Sequence, residues 1–140
     1  GGVIYKNTLY NGDAGQKNGV KDCEIYSTGE GGIILGGGDR KSLTPGNNFA
    51  ISNDIYDCSR WVRTYRSGVF MYGVGNIVKH NLIHDLPHTA LFFWGNEHLI
   101  EYNEIYRVCM ETGDAGAFYN GRDWTQRGSV IRYNYFHDLH

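Results

Sequence analysis

The sequence predicts an all-β fold: a parallel β-helix, a solenoid of about five coils with uncapped ends, forming one domain over residues 1–140. Three observations predict it. A short motif recurs at solenoid-length intervals, strand-sized apolar runs fall at matching places in each interval, and no long stretch has helical 3.6 periodicity. Composition agrees, because 20 glycines, 2 prolines and 11 tyrosines in 140 residues favour short strands and turns over helices.

The recurring motif is Asn-x-Ile-aromatic. It reads Cys23-Glu24-Ile25-Tyr26, Asn53-Asp54-Ile55-Tyr56, Asn81-Leu82-Ile83-His84, Asn103-Glu104-Ile105-Tyr106 and Asn134-Tyr135-Phe136-His137, with steps of 30, 28, 22 and 31 residues. Each instance is the first strand of a coil. The second strands are the runs Gly32-Ile33-Ile34-Leu35, Gly68-Val69-Phe70-Met71, Thr89-Ala90-Leu91-Phe92 and Gly116-Ala117-Phe118-Tyr119. The third strands come just before the next Asn, at Phe49-Ala50-Ile51, Ile77-Val78-Lys79, Leu99-Ile100-Glu101 and Val130-Ile131-Arg132. One aliphatic per strand points inward, all strands run parallel, and stacked coils share a core that no single coil could bury. The Asn suits a tight corner, where it tolerates a left-handed backbone and can pair amide to amide between coils. Cys23 interrupts that ladder at its first rung.

Coil lengths locate the loops. The 22-residue coil is closest to a bare coil; the others carry insertions at Ser59–Ser67 and Cys109–Ala115, before second strands, and at Gly36–Asn48 and Asn120–Ser129, after them. Loops carry function on a scaffold that fixes their positions. Coils two and four lie roughly 10 Å apart at about 4.8 Å per coil, which leaves a sugar-sized groove.

Formal charge of −2 suggests no nucleic-acid partner. No apolar run is long enough to cross a bilayer as a helix, so no membrane partner is expected. Cysteines 23, 58 and 109 lack a paired or zinc-binding spacing and read as buried thiols. His80, His84 and His88 would align on a helix but scatter over different faces of a β-helix, so neither a metal site nor any other cofactor is expected. The Gly1-Gly2 start points to a processed or cropped chain, and the break after Phe136-His137-Asp138-Leu139-His140 to a section of a longer β-helix, with coil-on-coil association possible through open ends.

The stretch Glu111–Trp124 crowds acids, an arginine, an amide and aromatics around Gly113, Gly116 and Gly121. Asp114, Asp123 and Glu111 are the candidate catalytic acids, since glycosidic cleavage generally uses two carboxyls. Arg122, with Arg127 nearby, could hold a hydroxyl or carboxylate. Asn120, Arg60 and Arg63 are further polar contacts, and Trp124, Tyr119 and Trp61 could stack on sugar faces. Each also has a plainer reading, in which the acids brace loops and the aromatics pack. The expected partner is a poly- or oligosaccharide.

Gly37-Gly38-Asp39-Arg40-Lys41, Leu43-Thr44-Pro45-Gly46-Asn47-Asn48, Ser59-Arg60-Trp61-Val62-Arg63-Thr64-Tyr65, Glu111–Trp124 and Ile131-Arg132-Tyr133-Asn134 resemble bacterial right-handed parallel β-helix proteins. They are most similar to glycoside hydrolase family 141, which includes α-L-fucosidase and xylan-cleaving members. The resemblance covers nearly the whole chain and is most specific at Glu111–Trp124. It implies a glycoside hydrolase acting extracellularly or in the periplasm on plant or bacterial glycans. It places Asp114 on one catalytic carboxylate, with the partner acid in the following coil. A polysaccharide lyase using Arg60, Arg63 and Arg122 on a uronate, and a non-catalytic glycan-binding stalk, are the competing functions on the same fold.

Overall fold

A computed structural model describes residues 15–139; the sequence expectations at Gly1-Gly2-Val3-Ile4 and His140 lie outside them. Three parallel sheets run along a solenoid, and no helix occurs among the described residues. Sheet one stacks Glu24–Tyr26, Asp54–Tyr56, Leu82–His84, Glu104–Tyr106 and Tyr135–His137. Sheet two stacks Ile33–Leu35, Val69–Met71, Leu91–Phe93 and Phe118–Tyr119. Sheet three stacks Gly19–Lys21, Phe49–Ile51, Ile77–Lys79, Leu99–Glu101 and Val130–Arg132.

The register makes the core. Ile25, Ile55, Ile83, Ile105 and Phe136 pair in sequence down sheet one as a single column. The first four are fully buried. Sheet three contributes Val20, Ala50, Val78 and Ile100, one per strand. Sheet two departs from the expected single inward aliphatic. Its strands start and end on inward positions, so Ile33 with Leu35, Val69 with Met71, and Leu91 with Phe93 all enter the core. The middle residues Ile34, Phe70 and Phe92 are thereby aimed outward, which fixes the face discussed below.

The Asn corner is a buried amide ladder. The Nδ2 of Asn53 donates to Oδ1 of Asn81 (2.9 Å), Asn81 to Asn103 (3.0 Å) and Asn103 to Asn134 (2.9 Å). Each Oδ1 also accepts the backbone N–H of the corner residue one coil earlier, that of Cys23 at the first rung. The left-handed residue is not the Asn, as the sequence suggested, but its predecessor: Asp22, Ser52, His80, Tyr102 and Tyr133 have φ of 54–57°. The Asn itself stays free to turn its amide along the axis. A second ladder of the same kind sits before sheet three, where Asn48, Asn76, His98 and Ser129 each accept the preceding coil's N–H.

Outside sheet one, Tyr26, Tyr56, His84, Tyr106 and His137 stack ring on ring with centroids 4.8–5.2 Å apart. The Tyr56 hydroxyl donates to Glu24, whose negative charge pushes the phenol up to about 12. One element breaks the all-parallel expectation. Within the Gly36–Asn48 insertion, Gly38–Asp39 and Thr44–Pro45 pair antiparallel as a small hairpin. Four residues of turn let the chain fold back on itself there, whereas each coil strand can pair only with its counterpart one turn away.

Candidate functional site

The outward face of sheet two is lined by apolar and aromatic side chains. Ile34, Phe70, Phe92 and Tyr119 stand one above another in adjacent coils. Trp94 meets Phe70 edge-on (5.0 Å) and lies beside Phe92 (6.5 Å), while Tyr119 meets Phe92 edge-on (5.6 Å). A groove of about 590 Å³ lies over this floor. Its walls come from the coil-two insertion, through Tyr65 and Arg66, and from the coil-four segments around Asp114 and Arg122. Glu30, bound to Arg66, and His88 line the groove as well. Aromatic faces rimmed by charged groups suit a ligand with apolar and hydroxylated sides.

Asp114 lines this groove, and its side chain is exposed. Its backbone N–H donates to the Thr112 hydroxyl (3.4 Å), and its carboxyl has no hydrogen-bond or ion-pair partner among the described residues. Tyr119 and Arg122 also line the groove. After Tyr119 the coil-four insertion carries Arg122 out of the coil, and the ladder resumes where Asn96 bridges Arg127, below the column of Gly37, Gly73 and Gly95. Those glycines have φ of 100°, 87° and 105°, and a Cβ on Gly73 or Gly95 would come within 2.0 or 2.1 Å of the carbonyl one coil earlier. Arg122 takes φ 65° within that insertion.

The other candidates from sequence lie elsewhere. Asp123 pairs with Arg40 (2.9 Å) and accepts the Thr125 N–H (3.0 Å); these bonds, Thr125 first, hold its carboxyl below the usual range. It braces its loop and does not line the groove. Glu111 is gripped by the Arg63 guanidinium through two bonds, which lowers the Glu111 carboxyl in the same way and engages Arg63 as well. Asn120 is likewise occupied within its loop, donating to the Phe93 carbonyl (3.1 Å) and to Gln126. Arg60 is exposed and tied by its backbone to Thr28. Trp61 and Trp124 are 88% and 95% exposed, and neither lines the groove. Trp61 covers Gly29 instead.

Glu30, Phe70, Phe92 and Trp94 were not singled out from sequence, and His88 was weighed only as a metal ligand. The second-strand alternation marks Phe70 and Phe92 as outward, but no local pattern marks the other three. Glu30 binds Arg66 across one coil (3.2 Å). His88 is 5% exposed. Its Nδ1 meets the Thr89 hydroxyl (3.1 Å), and burial pulls its imidazole below the ordinary histidine value.

A family model described as right handed beta helix region matches residues 3–140. No curated protein and no solved structure matches the chain. The match spans the same coils whose strands pair in parallel around the Asn corner, and on that basis the chain belongs to the right-handed β-helix family.

Proposed function

We propose that the groove over sheet two binds a poly- or oligosaccharide and that the protein is a glycoside hydrolase in which Asp114 is a catalytic carboxyl. The observation that carries this reading is an unengaged carboxyl at the rim of an aromatic-floored groove that crosses four coils. Sugar rings stack on Phe70, Phe92 and Tyr119, Arg122 takes a ring hydroxyl or a substituent carboxylate, and Asp114 exchanges a proton at the glycosidic oxygen. Glu30 is the other acid on the groove, but it is bound to Arg66 and stands three coils away, about 14 Å along the axis at 4.8 Å per coil. That exceeds the roughly 6.5–9.5 Å between carboxyls of inverting enzymes. Glu30 is therefore not the partner carboxyl that this reading requires.

The test is product analysis after incubation with fucosylated glycans, xylans and uronate-containing polysaccharides. New reducing ends without ultraviolet absorbance are expected. An unsaturated, ultraviolet-absorbing product would assign a lyase, and binding without any cleavage would assign a glycan-binding module.

A further inference from the structure

We infer that His88 is a further substrate-contacting residue of this groove, its Nε2 accepting a hydrogen bond from a hydroxyl of the sugar bound beside Asp114. The inference rests on the glycan-binding reading of the groove. His88 is 5% exposed, yet it lines the cavity. Its Nδ1 is satisfied by the Thr89 hydroxyl and its carbonyl by the Cys109 N–H. Nε2 has no partner among the described residues, and no buried side-chain nitrogen or oxygen there is left unpaired. Nε2 therefore opens to the groove, the one direction in which it can find a partner. The ring is held in place between Tyr65 (5.4 Å) and Phe92 (5.8 Å), so its orientation is set before any ligand arrives.

Register places it next to the proposed chemistry. Ala90 donates to the Ala117 carbonyl (3.0 Å); His88 is two residues before Ala90, and Asp114 three before Ala117. Both residues precede paired second strands in adjacent coils, and both line the same groove. In the tautomer whose Nδ1 donates to the Thr89 hydroxyl, which is the one we infer, Nε2 presents a lone pair to the ligand. Burial keeps the imidazole neutral through the physiological range. The ionisable groups on the same cavity are Glu30 and Arg66, which neutralise each other, Tyr65 and Tyr119, Asp114 and Arg122. The Cys109 thiol in the adjoining turn is pushed up by burial and stays protonated.

The sign of the pH dependence follows. The acceptor is present when the imidazole is neutral and is lost when the ring takes a proton, so affinity falls on acidification below the ordinary histidine range. Xylohexaose and a galacturonic acid trimer serve as probes, titrated calorimetrically at pH 7.5 and pH 5 into the wild-type chain and into His88→Gln, Asp114→Asn and Phe92→Ala. The expected result is about 3–10-fold weaker binding for His88→Gln at pH 7.5, the worth of one hydrogen bond. A fall on acidification that persists in Asp114→Asn and is absent in His88→Gln assigns it to the imidazole. Thermal unfolding checks that His88→Gln is folded; if it is not, the His88 ring nitrogens of the wild type are followed by 15N NMR, and Nε2 should shift on saturation with sugar. Wild-type affinity in folded His88→Gln, or an unmoved Nε2 signal, overturns the inference while Phe92→Ala still reports the groove. A panel in which neither probe binds overturns the glycan reading and this inference together.

Discussion

Asp114→Asn is expected to lower turnover about 10²–10⁴-fold, the range for removing one proton-transferring group, while glycan affinity stays within a few-fold. Asparagine keeps the shape of the side chain and removes its ability to exchange a proton. Because the Asp114 carboxyl has no partner among the described residues, no loop should loosen when it is replaced. Asp123→Asn and Glu111→Gln are the matched comparisons. Both acids hold arginines, Arg40 and Arg63, so their replacement should act through loop order and spare the chemical step. Steady-state kinetics on the three variants separates these roles. Full turnover in Asp114→Asn would make Asp114 a structural residue, and a larger loss in Asp123→Asn or Glu111→Gln would move the chemistry to that acid.

Ile83→Ala is expected to destabilise the fold by about 2–5 kcal/mol, the transfer loss plus the cavity left behind. Ile83 is fully buried and pairs with Ile55 on one side and Ile105 on the other. Both neighbours are pinned by the Asn ladder two residues away, so the column cannot close over the gap. Phe136→Ala lies in the same column but starts 38% exposed, and should cost much less. Denaturant unfolding measures both. Equal losses, or a loss under about 1 kcal/mol at Ile83, would contradict the stacked-column account.

The scaffold was legible because its signal is translational. Asn53, Asn81, Asn103 and Asn134 each meet the same partners one coil on, and a residue that repeats at the coil length shows in the sequence as a period. The second ladder shares that period but changes chemistry from Asn48 and Asn76 to His98 and Ser129, so identity matching missed it although the spacing was there. The groove was legible only where it belongs to insertions. Asp114, Tyr119 and Arg122 stood out as a cluster, but so did Asp123 and Trp124, which sit in the same segment and turn away from the groove. Along a loop, proximity in sequence does not fix direction; Asp123 is turned by Arg40, a residue 83 positions earlier, and no local pattern carries that pairing. His88 looked like one of three regularly spaced histidines. In the fold His80 stacks on Tyr102 at a corner, His84 joins the sheet-one ladder, and His88 alone reaches the groove.

The central claim is that sheet two, and not another face of the solenoid, receives the sugar. A crystal structure of the protein soaked with an oligosaccharide it binds tests this most directly. The expected density lies over Phe70, Phe92 and Tyr119, with a ring within hydrogen-bonding reach of Asp114. Sugar bound against Trp61 or Trp124, or along the Tyr26–His137 stack, with the groove left to solvent, would contradict the account.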